Sequence, residues 1–196
     1  KDSPLDKDAF TRGTSSYLAY SVIPMLPHLL SNGICSLNPN VIRLTLSCVM
    51  NIDHKGNIIK YDIFPSYIKS RKQMTYKKVN DIIMRDIIAE DYELYADTLK
   101  EMNNLAHILR KAKENRGYID FNIDEPKIIC DKDGICTDII KVEREDAEKL
   151  IEDFMIAANE TVASHAYNMG VPFIYRVHGE PKKEKVDDYL HLVSLM

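Results

Sequence analysis

Residues 22–39, VIPMLPHLLSNGICSLNP, set three prolines and one glycine among Ile, Met, Leu and Cys. Proline lacks a backbone N–H, fixes its own φ and pushes the residue before it toward extended geometry. Gly33 permits a turn that other residues resist. Neither a regular helix nor a long strand is expected over this stretch. A solvated linker would be rich in Ser and Gly, whereas this one is apolar, so it is expected to pack against the rest of the fold.

Beyond residue 40 the chain has clearer periods. Residues 43–53 (RLTLSCVMNID) and 57–70 (NIIKYDIFPSYIKS) are rich in β-formers around Gly56, which predicts a hairpin. Residues 118–131 and 135–144 predict a second hairpin with Gly134 at its tip, and the pair suggests one antiparallel or mixed sheet. Between them, Thr75 is placed to cap a helix from Tyr76 to about Ile88. A longer helix carries Tyr92, Tyr95, Leu99, Met102, Ala106 and Leu109 at spacings of three and four and ends at Gly117. Its last turn, RKAKENR, reads mainly as a solvated basic helix end, with RNA contact as the alternative. A third helix over 145–170 presents Ala147, Leu150, Ile151, Phe154, Ala158, Thr161, Val162 and His165 as one apolar stripe, stopped by Gly170 and Pro172. Glu152 and Asn159 share a face beside it, and by themselves read as solvated surface side chains. Residues 171–178 predict a short buried strand and 182–196 a final amphipathic helix. The fold class is therefore α/β (α+β): two hairpins packed by about four helices.

Composition narrows the function classes. Apolar residues make up 45% of the 196 and charged residues 29%, as in ordinary globular proteins that build a core. A net charge of −4 gives no global attraction to nucleic acid, although a local basic groove depends on distribution rather than total. No apolar run is long enough for a membrane span. Cys35, Cys48, Cys130 and Cys136 fit no zinc spacing and read as buried free thiols, which suits a reducing cytoplasm. The six histidines form no paired-ligand motif, and no dense aspartate cluster is present to hold two cations. G-x-S-x-G, P-loop and G-x-G-x-x-G motifs are absent. The 11 Tyr and 5 Phe can stack nucleobases, but most are expected in the core or on helix surfaces.

Longer motifs carry more. GTSSYLAYSVIPMLPHLLSNGICSLNP followed by RLTLSCVMNID closely resembles the catalytic domain of the ribonuclease II/ribonuclease R family of 3′-to-5′ exoribonucleases. The resemblance continues through DIFPSYIKSRKQMTYKKVN, RGYIDFNIDEPKII, AEKLIEDFMIAANETVA and VPFIYRVHGEP, and the bacterial ribonuclease R branch fits best. It implies an enzyme that threads single-stranded RNA, 3′ end first, down a narrow channel to magnesium and releases nucleoside 5′-monophosphates. The proline-studded segment then becomes channel wall, which must keep its shape. The resemblance places Tyr17 at an aromatic that contacts RNA along the channel and Tyr76 at a tyrosine packing on the final nucleotide. It places Glu152 at the acidic partner of that clamp and Phe121 at a phenylalanine stacking near the 3′ end. A carboxylate at Glu152 accepts from a ribose 2′-hydroxyl, which favours RNA over DNA. Arg176 lies in a matching stretch without an assigned role.

There are departures. The family's metal-binding aspartates and its assisting arginine have no counterpart in these residues, nor do its cold-shock and S1-type modules. Tyr20-Ser21, Ile42 and Val49 replace charged residues common in the family. The expectation is a partial catalytic domain over residues 1–196 that supplies channel wall and nucleotide clamp, binds no magnesium and is inactive alone. The alternative is a non-catalytic truncated paralogue that binds RNA or a protein. Self-association through exposed core-facing surface is a further outcome.

Overall fold

The computed structural model describes residues 1–120, 125–177 and 179–195. They form two compact units, 1–159 and 160–196.

The first unit opens with α1 (Pro4–Arg12), started by Ser3, whose side chain accepts from the Asp6 N–H. Two short strands, β1 (Ser16–Tyr17) and β2 (Val22–Ile23), pair antiparallel. The segment expected to be irregular contains a π-helical turn, Leu29–Ile34, and Gly33 sits inside it rather than at a left-handed turn. Arg43 explains how so unfavourable a turn is held: it donates from Nε to the Ser36 carbonyl (3.0 Å) and from Nη2 to the Gly33 carbonyl (3.1 Å). The expected packing is found only in part: Pro24, Met25, Leu26 and Leu30 are half-buried. Leu29 is 76% exposed and Ile34 65%.

β3 (Ile42–Ile52) and β4 (Ile58–Lys69) form the first hairpin, and β5 (Glu125–Cys130) and β6 (Cys136–Val142) the second. Both tips follow one design: Asp53 and Asp131 accept backbone N–H bonds within their turns, and Gly56 and Gly134 take positive φ. The hairpins do not merge. Each sheet has two strands among the described residues. The first tip instead rests on a helix: a Cβ on Gly56 would lie 2.7 Å from that of Ala112.

α2 (Tyr76–Arg85) is three residues shorter than the pattern predicts, because Asp86 adopts the left-handed conformation and closes it. Thr75 occupies the cap position, but its side chain makes no capping bond. A 3-10 turn (Glu90–Tyr95) leads into α3 (Ala96–Asn115). α4 (Asp146–Met169) runs from the first unit into the second. The core joins α2, the 3-10 turn, α3 and the start of α4 through Val79, Ile82, Tyr92, Ala96, Leu99 and Ala147.

Asn80 ties these elements by polar contact. Its side chain is buried; Oδ1 accepts from the Ala147 N–H (2.8 Å), and Nδ2 donates to Glu148 (3.0 Å). A residue of α2 therefore satisfies an N–H that the first turn of α4 cannot satisfy itself. Arg85 adds an ion pair to Glu145.

The apolar stripe expected on α4 is offset. Asp153 and Ala157 are buried, whereas Ile151 is 40% exposed. In the second unit, residues 171–177 form no strand, and Ile174 is 95% exposed. A strand needs a partner for its N–H and C=O groups, and none pairs with this stretch among the described residues. α5 (Lys183–Ser194) is the expected final helix. The four cysteines are free, but none is buried. Among the described residues, no helix is long and apolar enough to cross a membrane.

Candidate RNA-contact site

Asp153 is the charge around which the site is built. Its side chain is 2% exposed, and a carboxylate so deep must find bonded partners to replace water. Two cations from α3 meet it, Arg110 Nε at 2.9 Å and Lys113 Nζ at 2.9 Å. Two of the four cations in this last stretch of α3 are thus drawn inward, while Lys111 and Arg116 stay exposed, so its reading as a solvated end holds only in part. Burial opposes the charge on Lys113, but Asp153, Tyr118 and Glu152 outweigh it and hold the ammonium above the ordinary lysine range. The ammonium also lies 3.9 Å from the centre of the Tyr118 ring. Burial pushes the Tyr118 phenol up.

Glu152, the neighbouring residue on α4, faces the rim of this network. Its Oε1 accepts from Tyr118 Oη (3.4 Å) and Lys113 Nζ (3.5 Å), and its Oε2 from Arg144 Nη1 (3.1 Å). Arg144 also reaches Asp120 through Nη2 (3.1 Å). With its side chain 32% exposed, Glu152 is fixed in direction yet open to solvent. A carboxylate has about four lone-pair positions, so a further hydroxyl donor can be accepted there.

Tyr76 opens α2, half exposed, at the mouth of an apolar cavity of about 400 Å³. Val79, Leu99, Leu150 and Ile151 line its walls. Ile151 precedes Glu152 by one residue, so α4 presents an apolar wall to Tyr76 and a carboxylate about 100° further around its axis. Tyr17, on β1, is 80% exposed and belongs to neither group among the described residues. The turn after it reaches the second hairpin: a Cβ on Gly134 would lie 3.3 Å from the Tyr20 ring. Phe121 lies outside the described residues.

Sequence reasoning missed Lys113, Tyr118, Arg144 and Asp153. The usable signal was Asp153 at the edge of an apolar helical stripe, where a buried carboxylate requires basic partners from a neighbouring element. Magnesium finds no fit in this set. Among the described residues no three His, Cys, Asp or Glu side chains converge, and the most buried carboxylate is already neutralised.

Comparison with known proteins places this architecture. The chain is 49% identical over 195 residues to Ribonuclease R 1 of Lactococcus lactis, covering 99% of this chain and 24% of that protein. It is 50% identical over 185 residues to Ribonuclease R of Thermotoga maritima, covering 94% and 26%. The chain therefore spans about a quarter of the length of these curated relatives. Mycoplasma genitalium RNase R, solved in complex with ribose-methylated single-stranded RNA, superposes with a TM-score of 0.91 at 32% identity, over 99% of this chain and 30% of that one. The RNB domain model matches residues 1–195, and with a fold shared to this degree the chain belongs to the RNB domain family.

Proposed function

We propose that this chain is part of a processive 3′-to-5′ exoribonuclease that hydrolyses single-stranded RNA to nucleoside 5′-monophosphates with magnesium in the cytoplasm. Its own contribution is channel wall and a grip on the last nucleotide. Tyr17 and Phe121 contact bases, Tyr76 packs on the terminal nucleotide, and Glu152 accepts from its 2′-hydroxyl. The family membership and the single-stranded RNA bound to the M. genitalium neighbour support the substrate class. Four free thiols support the compartment.

The observation that carries the reading is the state of Glu152: ionised partners on two sides, a phenol on a third, and the remaining aspect open to solvent. Such a carboxylate is preorganised, because Lys113 and Arg144 hold it in place before a ligand arrives. It rewards a ribose that can donate a hydrogen bond, whereas a deoxyribose or a methylated ribose cannot donate. Tyr76 supplies an apolar face for base or sugar over the adjoining cavity, worth roughly 1–3 kcal/mol per stacked base. No trio of His, Cys, Asp or Glu side chains among the described residues converges to fit magnesium.

The test is equilibrium binding of oligoribonucleotides that differ only in a 2′-hydroxyl or 2′-hydrogen at the 3′-terminal nucleotide. Wild-type chain is expected to prefer the hydroxyl, Glu152→Ala to lose that preference, and Tyr76→Ala to weaken both ligands alike. Unchanged affinities in both variants would remove the assignment.

A further inference from the structure

Residues 69–78 hold five cations and no acid in a chain whose net charge is −4: Lys69, Arg71, Lys72, Lys77 and Lys78. The structure divides them into two sets. Lys72 and Lys78 both donate to Asp91, at 2.8 Å and 3.1 Å, and lie 4.6 Å and 5.0 Å from the centre of the Tyr92 ring. Tyr92 is buried, and its hydroxyl accepts from the Thr75 N–H (3.2 Å). This assembly pins the connector between β4 and α2, together with the first turn of α2, onto the 3-10 turn. The second set, Lys69, Arg71 and Lys77, is exposed and makes no ion pair among the described residues. Unpaired cations therefore flank half-exposed Tyr76 in sequence: Lys69 ends β4, Arg71 lies on the pinned connector, and Lys77 is in the first turn of α2.

Long side chains left unpaired beside a pinned connector suit a polyanion. Paired charges would have to be stripped of their partners first, whereas unpaired ones exchange only water and counterions. The aromatic side chain and its apolar cavity lie within the same stretch, so one strand can rest its phosphates on the cations and a base or sugar on Tyr76. We propose that Lys69, Arg71 and Lys77, set around Tyr76 by the Lys72–Asp91–Lys78 bridge, form a phosphodiester-binding strip for the backbone of a single-stranded nucleic acid. This inference rests on RNA being the ligand of the chain. The strip reads backbone charge and is indifferent to the sugar, whereas Glu152 reads the 2′-hydroxyl.

That difference separates the two in one experiment. Fluorescence anisotropy would follow binding of a labelled 16-nucleotide RNA and its DNA counterpart between 50 and 200 mM KCl. Each phosphate neutralised on a single strand contributes about 0.7 to the slope of log K against log salt, so K69Q/R71Q/K77Q should lower the slope by about 2. Across that range the affinity gap between wild type and variant should narrow roughly 20-fold, for RNA and DNA alike. A control triple variant, K7Q/K55Q/K185Q, should keep the wild-type slope. Equal loss of slope in the control would make the effect one of net charge and overturn the strip, as would an unchanged slope in the test variant. If the strip variant behaves as expected while Glu152→Ala leaves sugar preference untouched, the strip stands and the clamp falls. If wild-type chain binds neither ligand, both fall.

Discussion

Asn80 offers the sharpest test of how the first unit is held together. Replacing it with Ala strips the Ala147 N–H of its acceptor inside the core and removes the donor to Glu148. A buried polar group left unsatisfied costs about 1–3 kcal/mol, and a bond to a charged partner contributes about 1.5–3 kcal/mol. Glu148 is only partly buried and recovers some of its loss from water, so the sum comes to about 3 kcal/mol. Asn80→Asp keeps the acceptor but sets a carboxylate against the Glu148 carboxylate, and should destabilise at pH 7 at least as much. N80D/E148Q reverses the polarity of the pair: the new amide donates to the new carboxylate, and stability should return to within about 1 kcal/mol of wild type. Equilibrium urea unfolding followed by circular dichroism at 222 nm measures all four proteins. A loss below about 0.5 kcal/mol in Asn80→Ala, or no rescue of N80D by E148Q, would refute the claim that this side chain caps α4.

Gly56→Ala forces a Cβ to 2.7 Å from that of Ala112 at φ +83°, and should cost about 2–3 kcal/mol in the same assay, with partial recovery in G56A/A112G. Raised folded-state values for Lys113 and Tyr118 mean that their contribution to stability is fully present below about pH 10 and is lost as pH rises through those values; in pH-dependent thermal melts Lys113→Met should remove the lysine's share of this alkaline limb while pushing the Tyr118 phenol further up. Asp153→Asn leaves Arg110 and Lys113 short of their shared counter-charge, and should cost about 3–5 kcal/mol by urea unfolding. Supplied with magnesium or manganese and labelled RNA, this chain should release no nucleoside monophosphate by thin-layer chromatography; clear release from a clean preparation would overturn its role as wall and clamp. Leu44 and Leu46, 90% and 71% exposed on one face of β3, should drive concentration-dependent light scattering that L44K/L46K lowers.

Much of the local structure was legible because it is written locally. Gly56, Gly117 and Gly134 mark positions of positive φ, and alternating β-formers flank two of them. The failures share another cause, partners that are remote in the chain. Asp86 in a left-handed conformation closes α2 where the apolar pattern would continue it. Asp153 is drawn inward by two cations that the sequence displays as a basic helix end. Residues 171–177 have the composition of a strand but no partner to pair with among the described residues. At the site, motif resemblance singled out Glu152, but only the fold supplies the cations and phenol that orient it.

Every strand among the described residues pairs with its neighbour in sequence across a tight turn, so the β-structure closes no long loop. Hairpins of this kind assemble in roughly 1–10 μs. The long closure is elsewhere: Asn80 meets Ala147 across 67 residues, with the second hairpin lying in the intervening chain. That closure, rather than strand registry, carries the larger loop-entropy cost in the first unit.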